Sequence, residues 1–128
     1  MKYYIEKTVE GSFEDVYQRI KEALSTEGFG IVSEIDMDKK FRESLGESFR
    51  KYRILGACNP SLAFQALKQE DKVGTMLPCN VIMQEIAPER IEVAAVDPAA
   101  SMQAVGNKLL GSLAVEVKAK LSEVINVL

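Results

Sequence analysis

The two cysteines are the residues of this chain best able to do chemistry, and both stand in the same short pattern. Cys58 lies in "ACNP" and Cys79 in "PCNV", so an asparagine follows each thiol, and 20 residues separate the two cysteines. If a helix begins at Pro60, Cys58 stands at its threshold, where unpaired backbone N–H groups and the helix dipole stabilise a thiolate. One interpretation is therefore a thiol oxidoreductase in which Cys58 is the nucleophile and Cys79 resolves it.

A second interpretation makes both cysteines structural. Free cysteine is among the most frequently buried residues and packs like a small hydrophobe. The neighbours here are apolar, namely Leu55, Ala57, Leu77 and Val81. Asn59 would then serve only as a helix cap and Asn80 as a turn former.

Metal binding is the third interpretation, with Cys58 and Cys79 as the candidate ligands. Two thiolates do not complete a tetrahedral site, and carboxylates are not found at a recognisable spacing from them. A zinc ion shared between two chains would satisfy the coordination. The sequence identifies no cofactor, and it leaves open whether the protein is an enzyme.

Composition and charge exclude several classes of function. The 128 residues include no histidine, so Ser-His and Cys-His couples are ruled out. The net charge of −3 argues against a nucleic-acid partner, which requires a basic face. The start "MKYYIEKTVEG" lacks the apolar stretch of a signal peptide, and runs of roughly 18 apolar residues, as in a membrane span, are missing. We expect a cytoplasmic protein without nucleic-acid or membrane partners, whose cysteines stay reduced.

The segments that must position the two motifs alternate between strands and helices. Runs rich in β-branched and aromatic residues predict strands at "KYYIEKTV", "FGIVSEI", "YRILGA", "NVIMQEI" and "RIEVAAV". Helical spacing follows four residues of the types that cap helix N-termini, namely Ser12, Asp36, Asn59 and Asp97. Ala87-Pro88-Glu89 is predicted to join the last two strands as a hairpin.

The helix that opens at Asp97-Pro98 is predicted to be the longest and to continue to Leu128. Gly106 and Gly111 fall inside it, and we expect them to allow close approach of another backbone at an interface. The element order βαβαβαββα predicts one α+β domain over residues 1–128. Its sheet should be mixed and mostly antiparallel, with helices on one face.

The stretches "GFGIVSEIDM", "YRILGACNP" and "LPCNVIM" resemble the bacterial and archaeal family catalogued as domain of unknown function 302. The similarity runs from about Phe13 to the start of the last helix. It implies a two-layer α+β fold with a curved, antiparallel-rich sheet covered by helices on one side, similar to the TATA-binding-protein architecture. It also implies a homodimer, but it specifies no activity.

The resemblance makes the asparagines more informative, because a plain core rarely needs an amide beside each cysteine. We therefore expect a small homodimeric binding protein with a pocket for a small molecule or a metal ion. Its predicted lining is Cys58, Asn59, Cys79 and Asn80, with Arg53 as an anion contact. The alternatives are the thiol oxidoreductase and a structural subunit that acts through its dimer surface.

Overall fold

The computed structural model describes residues 2–128, which form one five-stranded sheet with helices packed on one face. The strands are β1 (Tyr4–Glu10), β2 (Gly30–Asp36), β3 (Tyr52–Cys58), β4 (Cys79–Ala87) and β5 (Arg90–Val96). They lie in the order β1-β5-β4-β3-β2, and each neighbouring pair is antiparallel. The predicted α+β class is confirmed, with a sheet that is antiparallel throughout the described chain and not mixed.

The helices are α1 (Phe13–Thr26), α2 (Met37–Leu45), α3 (Pro60–Gln69), α4 (Pro98–Ser101) and α5 (Lys108–Asn126). Single 3-10 segments follow α3 and α4, at Asp71–Met76 and Met102–Val105. Within residues 2–128, every helix is too short or too polar to cross a membrane.

The core lies between one face of the sheet and helices α1 and α5. Alternate residues of the strands point to this face, as the period of two requires. Val81 and Met83 of β4 are fully buried there. Helix α1 contributes Ile20, and α5 contributes Leu121 and Val124, each of which is also fully buried. The opposite side of the sheet contributes none of the buried core residues and is called the open face below.

Three of the four predicted helix caps form as expected. Ser12 Oγ accepts from the Asp15 backbone N–H at 3.1 Å, and Asn59 and Asp97 accept from the first turns of α3 and α4. Asp36 occupies the cap position of α2, but its side chain makes no capping hydrogen bond. Its carboxylate pairs instead with Arg53, because the adjacent strand β3 brings that guanidinium within 2.7 Å.

The prediction of one continuous helix after Asp97 is wrong. Helix α4 is short, and after the 3-10 segment Gly106 adopts a left-handed conformation with φ of 70°. Asn107 then caps α5, and its Oδ1 accepts from the Leu109 backbone N–H at 2.9 Å. Apolar spacing continues across this break, so periodicity alone could not detect it. Gly106 breaks a helix, and neither Gly106 nor Gly111 has a neighbouring atom within 4 Å of an added Cβ.

Candidate functional site

A cavity of about 310 Å³ lies where α3 and α5 meet the adjoining ends of β3 and β4. Both cysteines and Asn59 line it, so it coincides with three of the five residues grouped by the sequence. We call it the Cys-Asn cavity. Pro98 and Met102 bring α4 and the following 3-10 segment to its wall.

Hydrocarbon side chains form nearly all of the wall of the Cys-Asn cavity. Among the described residues that line it, only Asn59 and the two cysteines have polar side chains, and none carries a formal charge. The space arises because alanines occupy facing positions on three elements, namely Ala57 on β3, Ala63 and Ala66 on α3, and Ala114 on α5. A volume near 300 Å³ is at the lower end of the range for small-molecule sites.

Strand register brings the two Cys-Asn motifs together. In the β3–β4 pairing, Ala57 lies opposite Cys79, and Gly56 lies opposite Asn80. Gly56 is buried, and a Cβ on it would overlap Ser33 Oγ and lie only 2.6 Å from Pro78 Cγ. The absence of a side chain at this position therefore lets the segment before Cys79 pack closely against β3.

Asn59 fastens α3 to the turn between α1 and β2. Its Oδ1 accepts from the Leu62 backbone N–H, and its Nδ2 donates to the Glu27 carbonyl oxygen, both at 3.3 Å. A Cβ on Gly28 would lie 3.0 Å from the same Nδ2. The amide is thus committed to the scaffold at both ends, as a capping role predicts.

Both thiols are free and partly buried. Burial raises the pKa of Cys79 above its ordinary value of 9.0, and a charge on nearby Cys58 would raise it further. Cys79 is therefore a neutral thiol near pH 7. Within residues 2–128, groups of three or more cysteine and carboxylate side chains placed to hold a metal ion are not found. A metal bound by these thiols would need ligands from outside this chain.

Asn80 and Arg53 do not line the Cys-Asn cavity. Because neighbouring residues of a strand point to opposite faces, Asn80 lies on the open face, where it is exposed. The predicted site therefore loses two members for reasons of strand geometry.

Arg53 lies at the other end of β3, in a separate cluster. Its Nε donates to Asp36 Oδ1 at 2.7 Å, and one terminal nitrogen donates to Glu14 Oε1 at 3.3 Å. The guanidinium carbon also lies 5.1 Å from the ring centre of Phe13 and 4.8 Å from that of Tyr17. These partners engage the cation and hold α1 against β2 and β3.

The pKa of Asp36 reflects the same cluster. Burial is the largest single influence and would raise it, but the hydrogen bond and positive charge of Arg53, together with Lys39, outweigh burial. The pKa of this carboxyl consequently lies below its ordinary value of 3.8. Arg53 therefore stabilises the fold through an ionised Asp36.

An apolar row crosses the open face from strand to strand. Ile35 of β2 pairs with Ile54 of β3, Ile54 pairs with Ile82 of β4, and Ile82 pairs with Ala94 of β5. Ile35 is 41% exposed, and the other three are partly exposed. Polar side chains border the row, including the Gln84–Glu92 hydrogen bond of 2.8 Å.

Sequence reasoning missed the helical half of the Cys-Asn cavity. Met102, Leu110 and Leu113 line it from the segment that was predicted to be one continuous helix. Alanines at inward-facing positions of α3, where larger apolar residues would fill a core, were the one available signal of an open space.

Comparison with known proteins agrees with this fold. Residues 5–128 match the family described as Domain of unknown function DUF302. The crystal structure of an uncharacterized conserved protein DUF302 from Bacillus stearothermophilus is similar, with a TM-score of 0.90 and 22% identity over 98% of each chain. Curated proteins yield no match. At 22% identity the structural likeness establishes the fold, while the family match covers nearly the whole chain, so the chain belongs to the DUF302 family.

Proposed function

We propose that this protein is a small homodimeric binding protein whose ligand site is the Cys-Asn cavity. One observation carries the proposal: an open, almost wholly apolar space of about 310 Å³ lies at the two most distinctive sequence motifs. Proteins generally fill their interiors to high density, so a space of this size at a surface is the expected place for a small molecule.

The thiols support a binding role more than a catalytic one. A raised pKa keeps Cys79 protonated near neutral pH, whereas a resolving cysteine must become a thiolate to attack a partner sulfur. The chain also lacks a histidine that could act as a base for Cys58. In the binding role, the two thiols serve as small, weakly polar parts of the wall.

The site is tested by filling the Cys-Asn cavity. Ala66→Leu places a larger side chain in the wall, and Gln65→Leu adds a similar side chain at an exposed position of the same helix. We expect N-phenyl-1-naphthylamine to bind the wild type and Gln65→Leu with increased fluorescence, and to bind Ala66→Leu at least tenfold more weakly.

Native mass spectrometry of gently purified protein provides a second measurement. Added mass that disappears on denaturation would come from a bound small molecule and should be absent from Ala66→Leu. Equal binding of the probe to Ala66→Leu and Gln65→Leu would contradict a site in the Cys-Asn cavity, as would a wild type that binds no probe and carries no added mass. Circular dichroism spectra of the three proteins must agree for the comparison to hold.

The open face supports the homodimeric part of the proposal. An apolar row crosses four strands of this face and consists of Ile35, Ile54, Ile82 and Ala94. Charged and uncharged polar side chains border it. A second copy presents the same row, so two open faces related by a twofold axis bury matching apolar surfaces.

Light scattering on a size-exclusion column measures the mass directly. We expect a dimer for the wild type, a monomer for Ile82→Lys, and a dimer for Leu109→Lys. Leu109 is 58% exposed on α5, the helix on which the sequence had placed the interface. A monomeric wild type would contradict the proposed dimer. Loss of the dimer only in Leu109→Lys would show that the interface lies on α5 and not on the open face.

A further inference from the structure

We infer that the ligand of the Cys-Asn cavity is a neutral, largely hydrocarbon small molecule, and not a carboxylate, a phosphate or an amine. This inference rests on the proposed function, and it adds the chemical class of the ligand. Three properties of the cavity lead to it. They are the absence of charge among the described lining residues, the hydrogen bonds that already engage the Asn59 amide, and the small volume.

The first property is charge. An ionised group that leaves water for an apolar site must be paired, or the transfer is strongly unfavourable. Lysine, arginine, aspartate and glutamate are all missing from the described lining. Arg53, the cation that the sequence assigned to this site, is instead held by Asp36 and Glu14. A charged ligand would thus enter without a partner.

The second property is hydrogen bonding. Each end of the Asn59 amide already has one partner, the Leu62 N–H and the Glu27 carbonyl, so the amide retains only one further N–H and one further lone pair. The remaining polar side chains are the two thiols, which are weak donors and weak acceptors. Cys79 stays neutral because burial raises its pKa. A ligand with several hydroxyl or amide groups would leave those groups unsatisfied, which disfavours binding.

The third property is size and form. The cavity measures about 310 Å³, and alanines of both α3 and α5 belong to its lining. Its rim includes exposed apolar side chains, with Val32 64% and Leu67 43% exposed. A single compact hydrocarbon molecule would therefore contact apolar side chains both inside the cavity and at its entrance.

The decisive experiment compares two probes that share one aromatic skeleton. N-phenyl-1-naphthylamine is neutral, and 8-anilino-1-naphthalenesulfonate is the same molecule with an ionised sulfonate. Each is titrated by fluorescence into wild type, Ala66→Leu and Gln65→Leu at neutral pH. Only the part of the binding that Ala66→Leu removes is assigned to the Cys-Asn cavity.

We expect the neutral probe to bind the Cys-Asn cavity at least tenfold more tightly than the sulfonate. Equal or tighter binding of the sulfonate that Ala66→Leu removes would overturn the inferred ligand class and leave the proposed function standing. Binding of neither probe to a wild type that carries no added mass, or insensitivity of both to Ala66→Leu, would instead overturn the proposed function.

Protein concentration supplies a further control. If affinity for the neutral probe falls as the chain self-associates, a second copy covers the Cys-Asn cavity, and the small-molecule inference is wrong. Constant affinity over a concentration range that spans monomer and dimer supports it. The same titrations are made with Ile82→Lys, which is designed to remain monomeric. They separate dimerisation through the open face from coverage of the Cys-Asn cavity by a second copy.

Discussion

Cys79 lies directly opposite Ala57, the residue before Cys58, in the antiparallel pairing of β3 and β4. This pairing brings together two motifs that a helix and a 3-10 segment separate along the chain. Both thiols consequently line one apolar cavity, although the asparagines that follow them in the sequence have different roles. Asn59 holds α3 in place, while Asn80 lies on the other side of the sheet.

Gly56→Ala should destabilise the protein, because the new methyl group would overlap Ser33 and press on Pro78. Overpacking of this kind costs about 1–3 kcal/mol in the free energy of unfolding. Urea denaturation followed by circular dichroism measures the loss.

Gly111→Ala is the matched control. Gly111 lies in the interior of α5, and its added Cβ would meet nothing within 4 Å. Alanine should therefore stabilise the helix by roughly 0.5–1 kcal/mol. Effects of the same sign for the two glycine substitutions would contradict the packing described at Gly56.

Asn59→Ala should lower the free energy of unfolding by about 1 kcal/mol, the usual effect of losing an N-cap, plus the loss of the bond to Glu27. Asn59→Asp separates the two contributions. It retains the oxygen that accepts from Leu62 and removes the nitrogen that donates to Glu27. We expect thermal denaturation to place Asn59→Asp between wild type and Asn59→Ala. A wild-type melting temperature for Asn59→Ala would show that the amide does not hold α3.

Arg53→Met should destabilise the protein at pH 7 by roughly 1–3 kcal/mol, because it leaves Asp36 without its main partner. The size of the loss depends on pH. Since the pKa of Asp36 is lowered in the folded protein, the stabilisation is fully present above the ordinary value of 3.8. It is lost as the pH falls through the lowered pKa and the carboxylate becomes protonated.

Urea titrations at a series of pH values test this dependence. The difference in stability between wild type and Arg53→Met should be largest near neutral pH and should shrink toward about pH 2. Lys40→Met, which removes an exposed charge four residues after Asp36 in the sequence, should change little at any pH. A difference for Arg53→Met that stays constant down to the lowest pH would mean that the aromatic contacts of Arg53 outweigh its ion pair.

Cys79 should react slowly with iodoacetamide at neutral pH. Its raised pKa leaves less thiolate than an ordinary cysteine has, and partial burial limits access. Cys58→Ser isolates this thiol, and intact mass measured over time gives the rate of alkylation. The rate should continue to increase with pH above the ordinary thiol pKa of 9.0, because the pKa of Cys79 is raised above that value.

The thiol-oxidoreductase alternative makes the opposite prediction. It requires fast alkylation of Cys58 in Cys79→Ser near neutral pH, and a loss of two hydrogens when the wild type meets mild peroxide. Observation of both would replace the binding role with a redox role. Slow alkylation of both thiols, together with an unchanged mass after peroxide treatment, would exclude that alternative.

Local patterns predicted most of the elements correctly. Cap residues followed by apolar spacing located α1, α3 and the start of α4, and the tripeptide Ala87-Pro88-Glu89 located the β4–β5 hairpin. Each of these features depends on a few adjacent residues. The Gly106 break escaped detection because an apolar repeat passes through it unchanged.

The candidate site was harder to predict, since it depends on relations between distant segments. The register that places Ala57 opposite Cys79 is set by packing across the whole sheet. One error was avoidable: a strand that includes Cys79 and Asn80 must direct them to opposite faces. The space at α3 and α5 depends on which alanines face each other, and this follows only from the assembled fold.

The alanine walls of the Cys-Asn cavity have an evolutionary consequence. Ala57, Ala63, Ala66 and Ala114 belong to three separate elements, and one base change converts an alanine codon into a valine codon. At Ala63 and Ala66, which are only partly buried, such a change would remove part of the space and leave the caps and the Arg53 cluster untouched. Chains that share this scaffold would thus differ in the size of the cavity, or lack it entirely, without passing through an unfolded intermediate.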